Sequence, residues 1–255
     1  MLENIECQGS GKPLLFLPGM FAGSWAWDST IELLPKDQFS MYCINNPLCE
    51  ISSNLDELVN YVINIINILK LEDLTVIGNS YGSSIAIELA RTRPDLVSNI
   101  VISGAPCKSV EGDFGKPSRE IEWVKKLCRN IFYCERSCND FIDSNNFNKL
   151  NGLFENKKTF IKLISLMRAA SSVDSRVSFL NIKDVNVFGI WGSRDFITPV
   201  DDWFDVFEIT GRDLIIIDNC GHSPMYENPN VFVEKLLDLF QLRNKKEEKL
   251  LCECS

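Results

Sequence analysis

The chain has 255 residues, of which 45% are apolar and 24% charged, a balance that suits one globular core and excludes a fibrous or disordered protein. Its formal charge of −9 excludes non-specific nucleic-acid binding, which needs a basic surface to displace counterions from phosphates. Residues 1–12 lack a basic stretch followed by an apolar core, and no apolar run reaches the ~18 residues that span a bilayer, so neither a secretory signal nor a membrane span is expected. Ten cysteines in a chain of this length without an export signal read as reduced thiols, and the expected location is the cytoplasm.

In chain order, short runs rich in branched residues alternate with amphipathic stretches. The runs at 14–17 and 39–44 are too short for helices and are expected to be strands buried on both faces. Over 55–70, Leu55, Leu58, Val59, Val62, Ile65, Ile66 and Leu69 recur at helical spacing, with Asn54 as the N-cap. A strand at 74–77, a helix over 81–93 that stops before Pro94, and a strand at 100–102 follow. From 107 to 180 the rhythm changes, with helical patterns at 121–132 and 160–170 and no buried strand. Strands resume at 185–191 and 214–217, and a helix over 229–242 closes the pattern.

Strands alternating with helices imply an α/β fold with a parallel sheet covered on both faces. The expected division is residues 1–106 and 181–243 as the α/β core, 107–180 as a helical cap over the carboxyl edge of the sheet, and 244–255 as a charged tail. The cap holds 13 Lys/Arg against 9 Asp/Glu, while the remainder holds 13 against 26. A basic insertion thus sits on an acidic body. Cys134 and Cys138 have no second tight pair nearby, and the chain has one histidine, so structural thiols are expected there and no metal. Cys252 stands at the prenylation position, but Glu253 is not the aliphatic residue that motif wants, and no lipid anchor is expected.

Gly78-Asn79-Ser80-Tyr81-Gly82 follows a strand and opens a helix. That setting exposes a serine oxygen on a sharp turn, whereas the bare pattern without it is a glycine-rich turn with a bystander serine. A serine hydroxyl needs a base within hydrogen-bond reach. His222, in Cys220-Gly221-His222-Ser223-Pro224, lies just past the last strand, on the same sheet edge. A general-base histidine acts in its neutral form, so activity is expected to fall on acidification. The acid that orients the imidazole should follow a strand lying between serine and histidine. Asp195, after Trp191-Gly192, meets that condition. Asp218 shares a strand with His222 and reads as structural, as do Asp201 and Asp202 in a helix opened by Pro199. Two backbone N–H donors for an oxyanion are expected at Tyr81 and at Met20, with Phe21 as the runner-up to Met20.

The order of serine, acid and histidine, with Trp191-Gly192 and Gly221-His222, resembles the α/β-hydrolase superfamily from about Leu14 to Phe240. The resemblance implies a mostly parallel sheet of about eight strands, a helical cap between strands six and seven, and no metal or organic cofactor. It also implies catalytic roles for Ser80, Asp195 and His222, with Met20 and Tyr81 at the oxyanion hole. Many members carry His-Gly where this chain has Pro18-Gly19, so the support of that loop differs. A serine nucleophile is similar to the esterase branch, and the basic cap resembles pimeloyl-carrier methyl-ester esterases of biotin synthesis, which implies an acyl chain presented by an acidic acyl carrier protein. Thioester hydrolysis and carbon–carbon bond hydrolysis, to which Asn79 beside the serine points, are the alternative chemistries; a non-catalytic small-ligand receptor is the alternative of another class. The pocket is expected between Met20, Phe21, Tyr81, Phe196, Met225 and the cap, which suits an apolar acyl chain.

Overall fold

Val, Ile and Leu dominate the expected strands because branched and bulky side chains fill a pleated surface, and alternate residues then serve opposite faces. The computed structural model describes residues 5–45, 47–107 and 116–240. The charged tail, Cys252 and Cys254, the end of the last expected helix and residues 108–115 of the expected cap lie outside the described residues.

Seven strands form one sheet among the described residues, against about eight expected: β1 (Ile5–Gly9), β2 (Lys12–Leu17), β3 (Phe39–Ile44), β4 (Thr75–Asn79), β5 (Asn99–Ser103), β6 (Asn186–Gly192) and β7 (Asp213–Ile217). Their order is β1-β3-β2-β4-β5-β6-β7. Only the β1–β3 pair is antiparallel; the others run parallel. β1 is an edge strand that pattern reading misses, because Ile5 is its one apolar residue and its pairing with β3 supplies what its sequence does not.

The helices are α1 (Asp28–Leu33), α2 (Leu48–Ile51), α3 (Leu55–Leu69), α4 (Tyr81–Thr92), α5 (Ile121–Ile131), α6 (Glu135–Ile142), α7 (Asn145–Glu155), α8 (Lys157–Ala170), α9 (Ser175–Leu180), α10 (Phe204–Thr210), α11 (Pro224–Glu227) and α12 over 229–240. The Asn54 side chain caps α3 by accepting from Glu57 N–H at 3.1 Å. Sheet alternation divides the core. Leu15, Leu17, Val76, Ile100 and Ile102 pack with Val62 and Ile85 of α3 and α4, whereas Leu14, Phe16, Ile77, Val101 and Ile190 pack with Trp27, Phe232 and Leu236 on the other face. Each such fully buried side chain contributes about 1.5–3 kcal/mol.

Among the described residues, five helices, α5 to α9, lie between β5 and β6. Each turns an apolar stripe inward: Val124 and Leu127 on α5, Leu150 and Phe154 on α7, Leu163 and Leu166 on α8. Phe154 meets Phe21 with ring centroids 6.0 Å apart, and Phe141 of α6 meets Trp25 at 5.4 Å. On the outside, Glu50 of α2 accepts from Thr159 Oγ1 at 2.6 Å and Lys162 Nζ at 2.5 Å, both on α8. No described helix is long and apolar enough to cross a membrane.

Candidate active site at the carboxyl edge of the sheet

β4 ends at Asn79, α4 begins at Tyr81, and Ser80 forms the corner between them with φ 53° and ψ −125°. A non-glycine residue in that region is strained and persists only where its surroundings impose it. Here they do. Ser80 N–H donates to Ser103 O at 2.7 Å, and the Ser83 hydroxyl lies 2.8 Å from Gly78 O and 2.9 Å from Ser103 O, either of which can accept its one hydrogen. The two elbow glycines are required by close approach: a Cβ on Gly82 would lie 2.3 Å from Leu17 O, and one on Gly78 would lie 2.6 Å from Gly82 O.

The loop after β2 comes to the same corner, since a Cβ built on Gly19 would lie 3.2 Å from Ser80 Cβ. Ala22 N–H closes a turn onto Gly19 O at 3.1 Å, which puts Met20 and Phe21 at its two central positions. Tyr81 is the first residue of α4, where N–H groups have no intrahelical acceptor.

Asp195 and His222 are both 5% exposed, and His222 Nδ1 lies 2.9 Å from Asp195 Oδ2. Asp195 Oδ1 also accepts from Ile197 N–H and Thr198 N–H, each at 2.9 Å, and Oδ2 accepts the Thr198 hydroxyl at 2.9 Å. Thr198 Oγ1 is 3.2 Å from His222 Nδ1, and Trp191 Nε1 holds the Thr198 carbonyl at 2.9 Å. Sequence reasoning missed Thr198. Its signal was an Asp followed at the second and third positions by N–H groups that its carboxylate can turn back to bind. Asn79 Nδ2 donates to the His222 carbonyl at 3.0 Å, so the side chain that pointed to carbon–carbon cleavage is engaged in holding the histidine loop. The competing acids stand apart: Asp218 is exposed, and Asp202, in the 3-10 turn Val200–Trp203, accepts from the Cys107 thiol at 3.3 Å.

Ser80, His222 and Thr198 open into one cavity of about 220 Å³. Its walls include Phe21, Trp25, Trp123, Phe132, Phe141 and Met225, and none of the described residues lining it is charged. Two expected wall residues are absent from it. The Tyr81 side chain is buried in the core, where loss of hydration pushes its hydroxyl up to about 12, so only its backbone remains available to the site. Phe196 is 56% exposed and meets Tyr133 at 6.4 Å. The turn that aims Asp195 inward carries the next side chain outward, and Ile197 takes the place in the wall.

Two of the basic residues in the cap have local work. Arg119 Nε donates to Phe154 O at 3.2 Å and its Nη2 to Glu155 O, which covers the carbonyl end of α7. Lys125 pairs with Glu122 at 2.9 Å. The eight described cysteines are free thiols.

The family profile described as alpha/beta hydrolase fold matches residues 12–127 of the chain. Among curated proteins, the chain is 25% identical over 254 residues to a pimeloyl-[acyl-carrier protein] methyl ester esterase of Nitrosomonas europaea, covering 90% of this chain and 96% of that protein. It is 26% identical to a 2-hydroxymuconate semialdehyde hydrolase of a Pseudomonas species over 112 residues, a match that spans 40% of this chain and 39% of that protein. Among solved structures, a meta-cleavage product hydrolase from Pseudomonas fluorescens superposes with a TM-score of 0.77 at 18% identity, covering 94% of each chain. The chain therefore has the α/β-hydrolase fold, and the curated proteins similar to it include an esterase and a semialdehyde hydrolase.

Proposed function

We propose that the protein is a serine hydrolase that cleaves a carboxylic ester with a neutral, apolar acyl group. The observation that carries this reading is the buried His222–Asp195 pair opening, with Ser80, into a cavity without a charged wall residue. Donation from His222 Nδ1–H to Asp195 leaves Nε2 as the base that takes the Ser80 proton during attack. The oxyanion is received by the N–H groups of Tyr81 and Met20, with Phe21 next in the same turn. His222 returns the proton to the leaving alcohol, and water repeats the cycle on the acyl-enzyme. Helices α5 to α9 serve as the cap that closes the acyl site against water.

The uncharged wall favours ester cleavage over reactions in which the substrate brings a carboxylate into the cavity, because a buried charge without a partner is strongly disfavoured. A carrier-bound methyl ester fits this condition, since its reacting end is neutral; the similarity to the pimeloyl-carrier esterase and the basic excess of the cap support that finer reading. Hydrolysis of p-nitrophenyl esters from acetate to dodecanoate, by the natural protein and by Ser80→Ala, tests the proposal. Turnover that vanishes in the variant is the expected result. Turnover that survives Ser80→Ala would sink it.

A further inference from the structure

Glu227 follows His222 by one turn of chain and ends α11. Its carboxylate gathers N–H groups from its own loop and from one remote segment: Oε1 accepts Gly221 N–H at 2.6 Å, and Oε2 accepts Tyr133 N–H at 2.9 Å and Cys134 N–H at 2.8 Å. Gly221 immediately precedes His222, while Tyr133 and Cys134 form the link between α5 and α6. Alongside, His222 N–H donates to the carbonyl of Ile131, the last residue of α5, at 2.8 Å. The histidine loop and the α5–α6 link thus hold each other through four hydrogen bonds, three of them on a single carboxylate. Bonds of this type to an ionised acceptor are short and directional.

The acyl cavity touches this joint from both sides. Phe132 and Tyr226, the residues next to Tyr133 and Glu227, both line it, and their rings lie 5.4 Å apart. An acyl group seated against that aromatic pair bears on the joint without touching Glu227 itself.

We infer that Glu227 is a positioning residue, whose carboxylate makes placement of the α5–α6 link over the cavity and alignment of the His222 imidazole a single event. This rests on the proposed role of His222 as the base. Glutamine has the same shape but one acceptor oxygen, so Glu227→Gln can serve Gly221 or the Tyr133–Cys134 pair and not both. Glu50→Gln is the comparison, because it loosens the α2–α8 tether of the same helical region at a point remote from the histidine.

The experiment measures kcat, KM, the rate at which a fluorophosphonate labels Ser80, and Tm for the natural protein and both variants. Burial pushes the Glu227 carboxyl above its ordinary range while the three N–H groups pull it back, so the assays are run on the alkaline side of neutral. Misplacement of a reacting group by a fraction of an ångström lowers the rate steeply, and Glu227→Gln should reduce kcat and labelling by about tenfold while KM stays within about threefold. Glu50→Gln should leave the labelling rate unchanged. Should Glu227→Gln fail to fold, Glu227→Asp, which keeps the charge and shortens the reach, is expected to show the same loss in smaller measure. Natural labelling and kcat in a Glu227 variant, or equal loss in Glu50→Gln, would overturn the inference. A natural protein whose Ser80 is not labelled at all would instead overturn the serine mechanism on which it rests.

Discussion

Thr198 donates its hydroxyl to Asp195 at 2.9 Å while lying 3.2 Å from His222 Nδ1, so one side chain braces both members of the buried pair. Asp195 nevertheless keeps the Ile197 and Thr198 backbone donors when that hydroxyl is removed. Thr198→Val is expected to lower kcat by about tenfold to a hundredfold, since a single hydrogen bond to a charged group is worth about 1.5–3 kcal/mol and the others persist. Asp195→Asn, which disturbs the tautomer itself, should cost about 10³–10⁴-fold in kcat. Steady-state kinetics on one ester give both values; equal losses would show that Thr198 does more than brace.

Gly104 has φ +61°, and a Cβ there would lie 2.7 Å from His222 Cε1 and 2.9 Å from Nδ1. Gly104→Ala combines an unfavourable backbone region with displacement of the imidazole, at a cost of about 1–3 kcal/mol in stability. Activity should fall by more than the Tm shift explains. Labelling of Ser80 by a phosphonate at the natural rate in a folded Gly104→Ala protein would contradict the placement of His222 as base.

The uncharged cavity wall predicts discrimination by substrate charge. Two esters of equal acyl length, one ending in a methyl group and one in a free carboxylate, should differ by at least about tenfold in kcat/KM in favour of the methyl-ended ester, because a carboxylate entering an apolar cavity loses its hydration without compensation. Equal rates would mean that the acyl chain lies elsewhere.

The tether between α2 and α8 carries a pH signature. Hydrogen bonds from Lys162 and Thr159 hold the Glu50 carboxyl below its ordinary value of 4.5. A carboxyl lowered on folding stabilises the native state above the unfolded pKa and ceases to do so as pH falls through the folded value. The stability gap between the natural protein and Glu50→Gln, read from thermal melts, should therefore be present at neutral pH and shrink as pH falls below the ordinary carboxyl value of 4.5.

Much of this architecture is legible in the residues because its signals are local. Branched runs mark β2 to β7, the Asn54 cap and a seven-residue apolar stripe mark α3, and the glycines around Ser80 mark the elbow. What escapes is set by partners distant in sequence. β1 is a strand by virtue of β3, Arg119 covers a helix end some 35 residues on, and Thr198 matters only once Asp195 and His222 meet. Tyr81 and Phe196 illustrate the same limit at the level of direction: their positions follow from the motifs, but the side each ring faces depends on how the turn is wound.

The backbone at Ser80, with φ 53° and ψ −125°, sets the demands of chemistry and of folding against each other. Glycine adopts that geometry without penalty, whereas a side chain there costs of order 1–3 kcal/mol. Ser80→Gly should accordingly be inert yet melt at a higher temperature than Ser80→Ala, which loses the hydroxyl and keeps the distortion. A lineage released from any need for the reaction would find a more stable protein one substitution away, at the very position through which the reaction is proposed to run.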